Sequence, residues 1–158
     1  MSVLFVACKG LTKVDDSLSE EQLRDEQYIT VQGCTDSPSI TEGLEVGKTY
    51  KCEEDEWFSV ARKWREFGHW VSQLSYLVGG KGEIPSADSD IAFRDLFRYG
   101  QHQGTFGPVA SAKFAADFAT WDERAKSFAD ENFYPTYALV RKMFEYAAKD
   151  GLVYLRCY

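Results

Sequence analysis

The stretch that decides the fold is WFSVARKWREFGHWVSQLSYLVGG, residues 57–80. Its hydrophobic side chains recur every three or four residues, which is the spacing of one face of an α-helix. They are Trp57, Val60, Ala61, Trp64, Phe67, Val71, Leu74 and Val78. Gly79 suits the residue just after a helix, where the backbone turns left-handed. Because Gly68 weakens the middle, we predict a firm helix over 66–78, with 57–65 either its first part or a separate turn.

The residues before this stretch have the patterns of β-strands. The predicted strand segments are SVLFVAC (2–8), YITVQGC (28–34) and a strand–turn–strand element, LEVGKTYKC (44–52), with its turn at Gly47. They are short, rich in β-branched or alternating apolar residues and bounded by turn-forming residues. The acidic segment 15–27 is either a short helix capped by Ser17 or Ser19, or an exposed loop.

Three further helices and a last strand follow the opening stretch. Predicted helices cover IAFRDLFRY (91–99), PVASAKFAADFATWDERAKSF (108–128) and YPTYALVRKMFEYAAKDG (134–151), and LVYLRC (152–157) is a strand. Pro108 stands where a first-turn proline is tolerated. The fold class is therefore α+β. We predict an acidic, β-rich lobe over 1–55, then a four-helix core over 56–158 whose final strand is able to return to the first sheet.

Charge is concentrated in the first third of the chain. The 158 residues carry a formal net charge of −7. Residues 1–55 hold five Lys or Arg against twelve Asp or Glu, so the whole excess lies there. This argues against duplex nucleic acid or an anionic membrane as a direct partner. It favours either a solvated face or a surface for a basic protein partner.

Other sequence signals narrow the class of protein further. No apolar run is long enough to span a membrane, and residues 1–10 lack the pattern of a signal peptide. Cys8, Cys34, Cys52 and Cys157 are far apart and show no metal-ligand spacing. We therefore expect a cytoplasmic protein with no metal and no cofactor, whose cysteines are small core residues. The oligomeric state stays open.

The helical part resembles an uncharacterised bacterial and phage-associated protein family. The shared pattern is F-x-[ED]-L-[IF]-x-[FY], then G-x-[IF]-G-P, then S-A-K-[LF]-x-x-D-F. The matching positions are Phe93, Asp95, Leu96, Phe97, Tyr99, Gly104, Phe106, Gly107, Pro108, Ser111, Lys113, Phe114, Asp117 and Phe118, with Trp70, Leu74, Leu77 and Gly79 upstream and Tyr137, Arg141, Phe144, Glu145, Ala147 and Ala148 downstream. The resemblance covers about 64–158 and implies a mobile-element accessory protein. Gln101 and Gln103 stand where the family has Asp and Glu, which puts acid chemistry at that point in doubt.

The candidate site is the loop GQHQGTFGP, residues 100–108. Glycines before a helix can expose backbone amides to an anion, although this spacing is neither a P-loop nor a dinucleotide fingerprint. The simpler interpretation is a tight turn whose glycines adopt positive φ. His102 is a weak candidate for a general base, because the sequence shows no orienting partner. The candidate ligand-binding residues are Tyr99, His102, Gly104, Gly107, Ser111, Lys113 and Arg141.

Two pairs in these helices have a simpler role. Lys113 and Asp117, and Arg141 and Glu145, are each one helical turn apart and predict intrahelical ion pairs.

The leading hypothesis is a non-enzymatic binding protein that sequesters a partner protein or a small nucleotide-like ligand through its arginine and aromatic residues. One alternative is a hydrolase acting on a phosphorylated or acyl substrate through His102 and the loop 100–107. The other is an acidic, immunity-type inhibitor protein.

Overall fold

The computed structural model describes residues 2–14, 17–25, 27–99 and 104–156, and it has an α+β fold. The strands are β1 (Val3–Lys13), β2 (Tyr28–Thr30), β3 (Thr49–Ala61), β4 (Thr105–Phe106) and β5 (Leu152–Arg156). The helices are α1 (Glu20–Leu23), α2 (Trp64–Leu77), α3 (Arg94–Tyr99), α4 (Pro108–Lys126) and α5 (Phe133–Ala147), with a 3-10 helix at Pro38–Thr41. The α+β class is confirmed. In the described residues no helix has the length and apolarity that crossing a bilayer requires.

One antiparallel sheet organises the chain, with strand order β2-β3-β1-β5-β4. The long first strand lies at its centre, between β3 and the final strand β5. The sheet curls so that its two ends meet. The Thr105 N–H donates to the Gln32 carbonyl over 3.3 Å, and the Gln32 N–H donates to the Thr105 hydroxyl over 3.2 Å. The segment after β2 is thereby joined to β4.

The two faces of the central strand bury different clusters. Val3, Phe5 and Ala7 belong to the large core, together with the inward side chains of α2, α4 and α5. The intervening Val6 and Cys8 belong to a smaller cluster on the opposite face. This alternation is what a strand buried on both faces requires. The predicted boundary between residues 55 and 56 falls inside β3, and the large core takes side chains from both sides of it.

Our prediction that residues 57–61 belong to the helical stretch is wrong. These residues complete the thirteen-residue strand β3, and α2 begins only at Trp64. Phe58 and Val60 are buried in alternation, and Phe58 is paired with Phe5 of the central strand. Val60 fits both a helical spacing and a two-residue spacing, and pairing with β1 decides between them. Trp57, expected on the apolar helix face, is 41 % exposed.

Other boundaries also shift. Residues 44–48 form a turn rather than a strand, because the Val31 N–H donates to the Lys48 carbonyl and the Gly47 N–H to the Val31 carbonyl, each over 2.9 Å. The acidic segment contains α1, whose capping box uses Ser19, one of the two predicted caps. The described residues therefore hold five α-helices, of which α2 to α5 lie in the part 56–158 and α1 lies before it.

Candidate functional site

A cavity of about 400 Å³ opens between β4, α3 and the segment that follows β2. We call it the Arg98 cavity. Its apolar wall comes from Ile40, Ile84 and Phe106. Its polar wall comes from Arg98, Tyr99 and Asp36, and the remaining lining residues are Gly33, Cys34 and Gly104. A cleft of this size, with an apolar wall and a few polar groups, is typical of small-molecule sites.

Arg98 is the main polar group of this wall. Its Nη1 donates to the Pro85 carbonyl over 2.8 Å, and its Nη2 donates to the Tyr99 hydroxyl over 3.1 Å. The guanidinium carbon lies 5.4 Å from the centre of the Tyr99 ring. The buried Nε has no hydrogen-bond partner in the part of the chain that the structure describes. These contacts therefore fix the plane of the Arg98 guanidinium, while its Nε–H donates no hydrogen bond to the described residues.

The start of α3 is held by α4. Phe93, just before α3, has a φ of +61° and is completely buried, and among the described residues it is the only non-glycine residue with positive φ. Its N–H donates to Asp117 Oδ2 over 3.1 Å, and the same oxygen accepts from Lys113 Nζ over 3.1 Å. A conformation of this kind persists only where its surroundings hold it. Asp117 thus positions the helix whose far end carries Arg98 and Tyr99.

A second carboxylate fixes the side of α3. Asp95 is buried, and its carboxylate oxygens accept hydrogen bonds from the hydroxyls of Ser37 and Ser39, each over 3.4 Å. Arg94 Nε lies 3.2 Å from Asp95 Oδ1, and this neighbouring carboxylate raises the pKa of the Arg94 guanidinium. Because Ser37 and Ser39 stand at the 3-10 helix, Asp95 ties α3 to the element whose Ile40 lines the Arg98 cavity.

The structure brings together only some of the candidate ligand-binding residues. Tyr99 and Gly104 line the Arg98 cavity. His102, with Gly100, Gln101 and Gln103, lies outside the described residues. Gly107, Ser111, Lys113 and Arg141 do not line this cavity. The sequence missed Cys34, Asp36 and Ile40, which lie more than 50 residues before α3 and give no local signal. Arg98 was detectable, since it stands in the run FRDLFRYG of alternating aromatic and arginine residues.

The interpretation of Gly104 and Gly107 as positive-φ turn residues is wrong. Neither has positive φ, and Gly107, at the start of α4, has a φ of −77°. Gly107 is needed for close approach instead: its N–H donates to the Ile40 carbonyl over 2.7 Å, and a Cβ there would lie 2.8 Å from the Glu42 carbonyl oxygen. At Gly104 the nearest atom of the described residues to such a Cβ would be Ile40 Cδ1, at 3.9 Å, so a methyl group meets no close contact from them.

Both predicted intrahelical ion pairs are confirmed. Lys113 Nζ lies 3.1 Å from Asp117 Oδ2, and Arg141 Nε lies 2.7 Å from Glu145 Oε1. Arg141 also reaches Asp122, which accepts from the Tyr134 hydroxyl over 2.8 Å. Burial opposes ionisation of Asp122, but hydrogen bonds from Tyr134 and Lys126 lower its pKa below the ordinary value. Arg141 therefore belongs to a polar network that joins α4 to α5.

Ser111 is expected to be dispensable for stability. It is completely buried, and its hydroxyl has no hydrogen-bond partner among the described residues. An unpaired buried hydroxyl costs free energy, so Ser111→Ala should leave the free energy of unfolding unchanged or raise it by about 1 kcal/mol. The measurement is urea denaturation followed by circular dichroism. Thr41→Val is the matched control, because it removes a buried hydroxyl that donates to the Pro38 carbonyl over 3.2 Å. A loss in Ser111→Ala as large as in this control would contradict the assignment.

In the described parts of the chain, no three His, Cys, Asp or Glu side chains lie close enough together to hold a metal ion. Comparison of the chain with protein-family models, with curated proteins and with solved structures gave no significant match. The resemblance to the phage-associated family therefore stays a prediction.

Proposed function

We propose that this chain is a non-enzymatic binding protein for a small, anionic ligand with a planar ring, of the nucleotide-like class, held in the Arg98 cavity. The observation that carries the proposal is the guanidinium of Arg98, fixed beside the ring of Tyr99 at the wall of a cavity of about 400 Å³. On the resemblance of 64–158, we further propose a mobile-element accessory role in the cytoplasm.

The chemistry of the wall matches such a ligand. A guanidinium has planar, forked donors that suit phosphate and carboxylate oxygens. Tyr99, Phe106 and Ile40 supply aromatic and aliphatic surface against which a ring can pack. The absence of a side chain at Gly104 leaves space beside Ile40. Asp36, on the same polar wall, can accept a hydrogen bond from a ribose hydroxyl or an exocyclic amine.

Binding rather than catalysis is supported by the positions of the other cations. The hydrolase alternative needs His102, Lys113 and Arg141 to converge on one cavity. Lys113 is paired with Asp117, and Arg141 with Glu145 and Asp122, and neither lines the Arg98 cavity. His102 lies outside the described residues. The hydrolase and the immunity-type inhibitor stay as alternative predictions.

Arg98→Met is expected to weaken nucleotide binding about ten- to a hundredfold, because hydrogen bonds to a charged group contribute about 1.5–3 kcal/mol. A thermal-shift screen with linear and cyclic mononucleotides selects the ligand, and isothermal titration calorimetry measures its affinity. The parent nucleoside, which lacks the phosphate, should bind the wild-type protein about as weakly as the nucleotide binds Arg98→Met.

Arg124→Met is the matched control. The Arg124 guanidinium lies 5.3 Å from the centre of the Trp121 ring, nearly the same geometry, but Arg124 is exposed on α4 and does not line the cavity. Gly104→Ala provides a second test, since it adds a methyl group to the cavity wall and the nearest atom among the described residues is Ile40 Cδ1, at 3.9 Å. The proposal is overturned if no nucleotide stabilises the wild-type protein, or if the two arginine variants lose affinity equally.

A further inference from the structure

The Arg98 cavity contains two opposite charges that do not neutralise each other. Among its described lining residues, the charged ones are the cation Arg98 and the anion Asp36. Arg98 gives one donor to the Pro85 carbonyl and one to the Tyr99 hydroxyl. No ion pair joins Arg98 to Asp36, although the structure describes both side chains. The cavity therefore suits a ligand that has an anionic group at one point and hydrogen-bond donors at another.

The carboxylate of Asp36 is available to such a ligand. Asp36 is exposed, and it accepts no hydrogen bond from any residue that the structure describes. The next residue, Ser37, donates its hydroxyl to Asp95, and the 3-10 helix that begins at Pro38 has no side-chain cap. Asp36 therefore has no structural partner in the described part of the chain, and both of its carboxylate oxygens are left for a ligand.

A carboxylate distinguishes the nucleotide bases by the groups on their pairing edges, because it accepts hydrogen bonds and does not donate them. Guanine presents two adjacent donors, its N1–H and its N2 amine. Adenine and cytosine have a ring-nitrogen acceptor beside their amine, and uracil has a carbonyl on each side of its N3–H. An acceptor set against a carboxylate is repelled. Of the four bases, guanine alone can therefore donate to both oxygens of one carboxylate.

The charge of Asp36 also decides which part of a nucleotide it contacts. Phosphate and carboxylate repel each other, and the repulsion falls with distance. The ribose hydroxyls are close to the phosphate, whereas the pairing edge of the base is the part farthest from it. With the phosphate at Arg98, the arrangement of lowest repulsion places the base edge at Asp36. The base itself can pack on Ile40 and Phe106, which line the same cavity.

We propose that the ligand of the Arg98 cavity is a guanine nucleotide with one phosphate group, and that Asp36 selects it by accepting hydrogen bonds from N1–H and the N2 amine. This selection rests on the proposed function, because it takes a nucleotide-like ligand with its phosphate at Arg98 as given. One phosphate group suits the cavity, since Arg98 is the one cation in the described lining and Asp36 repels further negative charge.

Calorimetric titration of the wild-type protein with three 5′-monophosphates tests the selection. GMP has both donors, IMP keeps N1–H but lacks the amine, and AMP sets an acceptor against the carboxylate. GMP should bind about tenfold or more tightly than AMP, with IMP between them, because hydrogen bonds to charged groups are stronger than those between neutral ones. Equal affinity for GMP and AMP would overturn the guanine selection but not the proposed function. Failure of all three to bind would overturn both.

Asp36→Asn tests whether Asp36 contacts the base. A side-chain amide donates as well as accepts, which matches the adenine edge and opposes the guanine edge. The variant should lower the affinity for GMP about tenfold and raise the affinity for AMP. Asp88→Asn is the matched control, because this exposed carboxylate does not line the cavity, and it should keep the wild-type preference. If Asp36→Asn weakens GMP and AMP equally, Asp36 contacts the ribose and the selection is wrong.

Arg98→Met separates the two ends of the ligand. It should weaken GMP and AMP by the same factor and keep the ratio of their affinities, because the phosphate is common to both and the contacts of Arg98 and Asp36 are independent. A loss of the GMP preference in Arg98→Met, with the preference present in the wild-type protein, would contradict the placement of the base edge at Asp36.

Discussion

Gly151→Ala is expected to lower the free energy of unfolding by about 3 kcal/mol or more, because the new methyl group would overlap backbone atoms that cannot move. A Cβ at residue 151 would collide with the Cys8 carbonyl oxygen. It would also lie 2.9 Å from Ala147 Cα and 3.0 Å from the Ala147 carbonyl oxygen. These atoms belong to the central strand β1 and to the last turn of α5. Relief would require separating β5 from β1, which pair through Leu152 and Cys8.

Urea denaturation of both proteins measures this loss. Gly104→Ala is the matched control, since the nearest atom of the part of the chain that the structure describes would be 3.9 Å from its new methyl group. Neither glycine has positive φ, so the comparison isolates steric overlap from backbone strain. The control should change stability by less than about 1 kcal/mol. Similar losses in the two variants would show that α5 and β1 do not approach as closely as the structure indicates.

Phe118→Ala is expected to lower the free energy of unfolding by about 3–5 kcal/mol, because it leaves a cavity at the centre of the large core. Phe118 is completely buried. Its ring centre lies 4.6 Å from that of Phe93, 4.9 Å from that of Tyr137 and 6.2 Å from that of Phe144. The Phe118 carbonyl also accepts from the Tyr137 hydroxyl over 2.5 Å, a backbone contact that the substitution keeps.

The effect should extend to the Arg98 cavity. Phe93 packs on Phe118 and precedes α3, so loss of the Phe118 ring removes support from the helix that carries Arg98. Nucleotide affinity should therefore fall together with stability. Phe118→Leu, which keeps most of the volume, should lose clearly less of both. If Phe118→Ala unfolds as the wild-type protein does, Phe118 is not at the centre of the core.

Much of the fold follows from local patterns. The positions of α2, α4 and α5 were predictable because their apolar side chains recur at helical spacing, and β1 and β5 because they are short, β-branched runs. The limits of β3 were not. Val60 fits a helix and a strand equally well, and only the presence of β1 alongside makes the strand the more favourable choice.

The candidate site was predictable in part. Tyr99 and Gly104 were found because glycine, arginine and aromatic residues cluster around the end of α3. The sequence identifies Asp95 only as a member of the family pattern and Asp117 as that and as the partner of Lys113. In the structure they also hold α3, through a serine pair and the Phe93 N–H. Cys34 and Asp36 carry no local signal, since they meet α3 only because the sheet curls.

By itself, the sequence determined the positions of α2, α4 and α5, the strands β1 and β5, where the excess negative charge lies and which ion pairs form within α4 and α5. Those properties depend on neighbours a few residues apart. Only the tertiary structure decided why Gly107 and Gly151 must be glycine, how far β3 extends and which side chains share the Arg98 cavity. Each of these depends on contact between segments that are distant along the chain, and their separation is set by packing and strand pairing rather than by local propensity.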